Sequence, residues 1–281
     1  MSTHNPLPYR GRLAPTPTGE LHLGHARTFY QAWKRAREAN GKLLLRMEDL
    51  DTQRCKPEYA TQVLEDLQWL GLDWDGEIEY QSQTPSRFLE TWRQLKDDGY
   101  IYPCTRSRKE IRALRPPYDP DEQDTEAIFP IEWRPEPGAE KAFDSPEGVT
   151  WRFRVSEGEV IRVSDVRKGE VSYTAGVDFG DFSIWRRDNI PAYDFSVVVD
   201  DFHQKITEVV RGEDLLRSTA RQLLLYRALN ANPPTWCHEP LVRDKEGNRL
   251  AKRFHSLSIR ELRERGEPPA GVLELAEANS I

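Results

Sequence analysis

The sequence has 281 residues, enough for one large domain or two ordinary ones. Apolar residues make up 37% and charged residues 31%, and 8 Trp, 10 Tyr and 10 Phe supply bulk for a core, which excludes wholesale disorder. A net charge of −7 argues against a non-specific nucleic-acid sponge, while leaving room for one basic face.

The first hundred residues alternate between strand-like and helix-like patterns. Residues 7–13 form a short apolar segment that leads into the turn Pro15-Thr16-Pro17-Thr18-Gly19. A helix is predicted from Leu23 or Gly24, with Ala26, Phe29, Ala32, Trp33 and Ala36 at helical spacing, stopping at the C-cap pair Asn40-Gly41. Residues 42–46 read as a buried strand. Helices follow from Pro57 (Tyr59, Val63, Leu64, Leu67, Leu70) to Gly71, and from Pro85 (Phe88, Leu89, Trp92, Leu95) to Gly99. This alternation predicts βαβ units and a parallel sheet.

The texture changes near Tyr100. Residues 115–146 are rich in Pro, Asp and Glu and are predicted as loop. Residues 151–155 and 159–163 alternate like strands of a small antiparallel unit. The α/β pattern resumes with the apolar runs 195–199 and 206–210, and a helix is predicted from about Asp214 to Asn230. Residues 241–243 and 248–250 flank Asp244-Lys245-Glu246-Gly247 as a hairpin. Ser258-x-x-Glu261 is a capping-box signature for a short last helix. The expected organisation is 1–99 as the first half of an α/β domain, 100–190 as an insertion, 191–240 as the second half and 241–281 as a loop with a short extension.

No run approaches the ~18 apolar residues that span a bilayer, and the N-terminal residues show no basic segment followed by an apolar core. Cys55, Cys104 and Cys237 are odd in number and far apart, which excludes a disulfide framework. A cytoplasmic monomer without membrane partners is expected.

His22-Leu23-Gly24-His25 sits where turn gives way to helix. Backbone N–H groups there point outward, the helix dipole favours an anion, and imidazoles donate to phosphate oxygens. Gly24 permits close approach to the backbone. The run Arg12-Leu13-Ala14-Pro15-Thr16-Pro17-Thr18-Gly19-Glu20-Leu21 leads straight into these histidines. Arg46-Met47-Glu48-Asp49-Leu50-Asp51 comes next. Further on stand Pro191-Ala192-Tyr193-Asp194-Phe195 with Val197-Val198-Val199-Asp200-Asp201, then Val210-Arg211-Gly212-Glu213-Asp214, and finally Arg249-Leu250-Ala251-Lys252-Arg253.

These five segments, in this order, resemble the class I aminoacyl-tRNA synthetases and specifically their glutamyl branch. The first resembles R-F-A-P-S-P-T-G-x-L-H-I-G-H, and the last resembles the K-L-S-K-R form of the K-M-S-K-S loop. The resemblance implies a Rossmann-like catalytic domain split by an insertion. It also implies ATP-dependent activation of glutamate, with Mg²⁺ accompanying the nucleotide. On it, His22, Gly24, His25 and Arg249, Leu250, Ala251, Lys252 and Arg253 bind ATP, with His22, His25 and Lys252 acting on the phosphates. Arg12, Ala14, Thr16, Glu48, Tyr193 and Arg211 hold glutamate: the arginines at carboxylates, Glu48 at the ammonium and Tyr193 as a hydroxyl donor.

Only 28 residues follow Arg253, so no anticodon-binding domain is expected. The short chain is similar to glutamyl paralogues that esterify glutamate to the cyclopentenediol of queuosine in tRNA(Asp). A minimal ligase charging a tRNA 3′ end and a catalytically inactive tRNA-binding paralogue are the alternatives. The family's zinc site is only partly present. Cys104 stands where its first cysteine would, Arg106 replaces the second, Tyr118 is the candidate tyrosine, and no further cysteine precedes Cys237. Loss of zinc is expected, with packing or ion pairs holding the insertion instead.

Overall fold

The computed structural model describes residues 8–114, 127–242 and 258–278. In chain order the elements are β1 (Arg10–Leu13), α1 (Leu23–Glu38), β2 (Lys42–Met47), α2 (Pro57–Trp69), β3 (Glu79–Tyr80), α3 (Pro85–Asp97), β4 (Ile101–Cys104) and α4 (Arg108–Arg112). After them come β5 (Thr150–Phe153), β6 (Val160–Asp165), β7 (Gly169–Thr174), β8 (Phe182–Trp185), α5 (Tyr193–His203), β9 (Glu208–Gly212), α6 (Leu216–Ala228), β10 (Thr235–Glu239), α7 (Ile259–Glu264) and α8 (Pro269–Glu277). Contacts divide them into two compact units. One draws on the chain up to Gln83, on Lys205–Glu213 and on the chain from Pro234 onward; the other comprises Thr84–Gln204 and Asp214–Pro233.

The first unit is built on parallel strands. β2 carries Leu43, Leu45 and Met47 fully buried on one face, with Leu44 half-buried and Arg46 fully buried on the other. It pairs in parallel with β1, from Arg10 opposite Lys42 to Leu13 opposite Leu45, and with β3 on its other side. Thr207 then brings the chain back along the free side of β1: its N–H donates to the Arg10 carbonyl at 2.9 Å, and Arg10 N–H donates to its Oγ1 at 2.8 Å. β9 and β10 pair in parallel from Glu208 opposite Thr235 to Gly212 opposite Glu239. The chain thus leaves β1 in one direction and returns on the other, a topological switch of the kind that places ligands at the carboxyl ends of strands.

Helix α1 packs on these strands through Ala26, Phe29, Ala32 and Ala36; the alanines let helix and sheet approach closely. Ile259 and Leu262 of α7 and Val272 and Ala276 of α8 join the same core. A buried carboxylate ties the layers together. Glu208 accepts from Tyr9 Oη at 2.7 Å, Arg35 Nε at 2.7 Å and Arg35 Nη2 at 2.6 Å. Burial and this carboxylate push the Tyr9 phenol far above its ordinary range. The expected stop of α1 is present, with a division of labour. Asn40 takes the left-handed conformation (φ 49°), whereas Gly41 is required because a Cβ there would lie 2.6 Å from the Tyr9 carbonyl oxygen.

In the second unit β4, β5 and β8 form an antiparallel sheet, and β6 pairs with β7 as a hairpin. The runs 151–155 and 159–163 therefore fall in different ladders rather than in one antiparallel unit. The apolar run 195–199 lies within α5, and α6 begins at Leu216 after a 3₁₀ turn over Glu213–Leu215. The β-branched run of α5 is tolerated because it is buried throughout, so packing overrides local preference. Asp181 organises this unit. Its carboxylate accepts from Tyr102 Oη, from Arg134 Nε and Nη2 at 2.7 Å each, and from Val155 N–H at 2.9 Å. Cys104 is buried against Tyr102 and Phe129. Trp92 meets Trp151 edge-on, with centroids 4.8 Å apart. The proline-rich stretch around Tyr118 and the expected hairpin beyond Val242 lie outside the described residues. The capping box of α7 is present: Ser258 Oγ accepts from Glu261 N–H at 3.1 Å and Ser258 N–H donates to Glu261 Oε2 at 2.8 Å.

One buried group works against the fold at neutral pH. Asp66 on α2 is 1% exposed, and neither carboxylate oxygen has a hydrogen-bond donor among the described residues, Arg263 standing 3.6 Å away. Burial pushes its carboxyl up to about 6, against the pull of Arg263. Because the folded-state value lies above the unfolded one, stability falls as pH rises from about 4 through 6 and stays at the lower level above. Asp66→Asn is expected to stabilise the protein at pH 7.5 by about 1–3 kcal/mol, with the gain vanishing towards pH 4. Urea unfolding of both proteins at the two pH values checks this; an equal difference at both would contradict it.

Candidate active site

Beyond Leu13 the chain crosses the carboxyl end of the sheet to reach α1. Its path is set by backbone contacts: Glu48 N–H donates to the Pro15 carbonyl at 2.9 Å and Lys56 N–H to that of Pro17 at 3.1 Å. His22 is the N-cap of α1, with extended backbone angles, and its Nδ1 accepts from Gly24 N–H at 3.1 Å. His25 closes a reciprocal box, its Nδ1 accepting from His22 N–H at 3.2 Å. Imidazoles thus perform the capping that Ser, Thr, Asp or Asn ordinarily perform.

Three consequences follow from that geometry. First, a nitrogen that accepts a backbone N–H carries no proton, so both rings hold theirs on Nε2 and are donors there. Second, burial, assisted by His22, pushes His25 down to about 3, so this ring is neutral across the physiological range. Third, the rings stack with centroids 3.8 Å apart, and a Cβ at position 24 would lie 2.9 Å from His22 Cε1. Gly24 is therefore required by the His22 ring. The first turn of this sixteen-residue helix holds no acidic residue of its own to offset the positive end of its dipole.

The chain that returns at α7 docks beside this cap: Ile259 N–H donates to the Leu21 carbonyl at 2.8 Å, and His22 forms an antiparallel bridge with Ser258. Arg249, Leu250, Ala251, Lys252 and Arg253 precede it and lie outside the described residues.

Arg12 and Arg211 occupy the neighbouring strands β1 and β9 and are each 5% exposed, with Arg12 Nη1 donating to the Val210 carbonyl at 3.3 Å. Arg211 Nε donates to His238 Nε2 at 3.2 Å. Glu48, 7% exposed at the end of β2, takes a hydrogen bond from the fully buried Arg46 at 3.1 Å. Ala14 is half-buried and Thr16 exposed on the segment leaving β1. In the first unit, then, Arg12, Ala14, Thr16, His22, Gly24, His25, Glu48 and Arg211 all stand on or just past strands β1, β2 and β9. Tyr193 belongs to the second unit, where it opens α5 and is 41% exposed. Asp194 beside it accepts from Ser218 Oγ and from Gln222 Nε2 at 3.3 Å.

The sequence assigns no role to two residues in this region: Arg46 stands out only as the first residue of its motif, and His238 carries no local signal because nothing in its neighbours marks β10 as a strand. A further buried pair, Arg27 on α1 with Glu239 on β10 at 3.9 Å, has no spacing signature either. Buried arginines supply planar, bidentate donors for carboxylates or phosphates, and a buried carboxylate such as Glu48 supplies an acceptor for an ammonium. Among the described residues no group of three or more His, Cys, Asp or Glu is placed to hold a metal.

Residues 9–277 match the family described as tRNA synthetases class I (E and Q), catalytic domain. The chain is 43% identical over 273 residues to a Glutamyl-Q tRNA(Asp) synthetase of Nitratidesulfovibrio vulgaris, covering 94% of this chain and 83% of that protein. It is 40% identical over 283 residues to a protein of the same name from Rhodopirellula baltica, covering 96% and 84%. A solved glutamate tRNA ligase from Elizabethkingia meningosepticum, in complex with its amino acid, superposes with a TM-score of 0.73 at 28% identity. That alignment covers 92% of this chain and 53% of the ligase, so the chain spans about half the length of the solved structure it matches. The Rossmann-like α/β architecture expected from the sequence is the one these relatives share. The chain belongs to the catalytic-domain family of the class I tRNA synthetases for glutamate and glutamine, and is a ligase of that class.

Proposed function

We propose that the protein activates glutamate with ATP and transfers it to queuosine at the wobble position of tRNA(Asp). The observation that carries the first half is the histidine cap of α1: two neutral rings with Nε2–H donors at the positive end of a helix, at the carboxyl end of β1. Such an end is suited to a triphosphate. The second half is supported by the 43% and 40% identity to proteins named Glutamyl-Q tRNA(Asp) synthetase.

In the first step an oxygen of the glutamate α-carboxylate attacks the α-phosphorus of ATP. The bond to the β-phosphate oxygen breaks, giving glutamyl-adenylate and pyrophosphate. No protein nucleophile takes part; the work is positioning and charge stabilisation. His22 and His25 donate to phosphate oxygens and Gly24 leaves the helix backbone approachable. Lys252, with Arg249, Leu250, Ala251 and Arg253, neutralises charge on the leaving pyrophosphate. Arg12 and Arg211 take glutamate carboxylates, Glu48 its ammonium, Ala14 and Thr16 line its approach, and Tyr193 donates its hydroxyl. Mg²⁺ enters with the triphosphate, which suits an ion held through substrate phosphates rather than by a protein cage. In the second step a hydroxyl of the cyclopentenediol attacks the adenylate carbonyl and AMP departs.

Arginine readers favour glutamate over glutamine, because the neutral amide leaves a buried guanidinium poorly paired.

Labelled glutamate, ATP and Mg²⁺ with tRNA from queuosine-competent and queuosine-deficient cells test the acceptor. Label in tRNA(Asp) from the competent pool alone is expected; equal label on tRNA(Glu) from both pools would overturn the reading in favour of 3′-end charging. The cap is tested separately. Gly24→Ala displaces the His22 ring and is expected to lower kcat/KM for ATP in pyrophosphate exchange about 10–100-fold, the loss of one or two charge-assisted hydrogen bonds. Its melting temperature should stay close to that of the parent, and unchanged exchange would contradict the assigned role.

A further inference from the structure

His238 is fully buried in β10, directly opposite Arg211 in the parallel β9–β10 pair. Directly paired residues of adjacent strands project to the same face, so the imidazole and the guanidinium lie side by side. Their contact is specific: Arg211 Nε donates to His238 Nε2 at 3.2 Å. Arginine has donors only, so Nε2 must present its lone pair, and the imidazole is neutral with its proton on Nδ1. This is the opposite tautomer from that of the two cap histidines.

We propose that His238 is a positioning residue for substrate binding, acting through Arg211. The inference rests on the reading of Arg211 as a glutamate carboxylate reader. A guanidinium is planar, and holding the Nε–H direction fixes that plane. The remaining donors are those that a carboxylate takes in bidentate fashion, so an oriented plane sets the angle at which glutamate is received. A neutral acceptor achieves this without adding a second positive charge beside Arg211. A carboxylate in place of His238 would pair with the guanidinium and compete with the substrate. The imidazole therefore orients the arginine without itself neutralising the guanidinium charge.

The test compares the parent with His238→Gln, which keeps an acceptor at similar reach, and His238→Leu, which removes it. Glutamate-dependent pyrophosphate exchange is measured with glutamate and ATP varied in turn. For His238→Leu the KM for glutamate is expected to rise about 10–100-fold while kcat and the KM for ATP stay within about threefold, the pattern of lost binding that is uniform through the reaction. His238→Gln is expected to recover most of that loss. Equal KM values in all three proteins, or a parallel fall of kcat with no advantage of Gln over Leu, would overturn the proposal.

Should the Leu variant fail to fold, side-chain ¹⁵N spectra of the parent decide. Nε2 of His238 is expected unprotonated and shifted by added glutamate; a proton on Nε2 would overturn the assignment. Exchange in the parent that is lost in Arg211→Ala but unaffected in His238→Leu would sink this inference alone. No glutamate-dependent exchange in the parent would sink the functional reading itself, and this inference with it.

Discussion

The capping of α1 by histidine is the interaction on which the rest of the site depends. A helix start leaves backbone N–H groups without partners, and most proteins satisfy some of them with a short oxygen-bearing side chain. Here His22 and His25 exchange hydrogen bonds with the backbone through Nδ1. That choice settles the tautomers, puts Nε2–H donors at the positive end of the helix and demands glycine at position 24. It also recruits the C-terminal part of the chain, because Ile259 and Ser258 bond to the segment leading into the cap. One local constraint thus connects the end of β1, the start of α1 and the entry to α7.

Around that cap the first unit accepts a high density of buried charge. Arg12, Arg46, Arg211, Glu48 and Glu208 are all at least nine-tenths buried. Burying ions costs free energy, and a hydrophobic core of equal volume would serve stability as well or better. Both anions are paired: Glu208 joins Tyr9 and Arg35, and Glu48 takes a hydrogen bond from Arg46. On the proposed function, the arginines on β1 and β9 serve as recognition groups, since a doubly anionic amino acid bearing an ammonium needs both signs of charge. Asp66 illustrates the opposite case, a buried carboxylate with little compensation.

Much of the fold was legible because its punctuation is local. Pro57 and Pro85 open α2 and α3, Gly71 and Gly99 follow them with positive φ, and Ser258 with Glu261 forms the capping box announced by their spacing. The ordered segments around Arg12, Glu48 and Arg211 stand out for the same reason: each is a short contiguous run of sequence. What escaped depends on pairing at long range. The run 195–199 looks like a strand in isolation and becomes helical only because every position is buried. β10 is bracketed by Pro233-Pro234 and Pro240, but its five residues carry neither an apolar run nor a clear alternation. Their register against β9, which brings His238 to Arg211, is set by tertiary packing and not by composition. The sequence suggests one domain split around an insertion, but no spacing reveals that the second unit also draws on Asp214–Pro233.

The central physical claim is that His25 remains a neutral, Nε2-protonated donor at the positive end of α1. Long-range ¹H–¹⁵N correlation of the histidine side chains between pH 5 and 8 measures this directly. The account predicts an unprotonated Nδ1 and a protonated Nε2 for His25 at every pH in that interval, with Nε2 shifting when ATP is added. A ring that becomes imidazolium near pH 6, or that carries its proton on Nδ1, would contradict it.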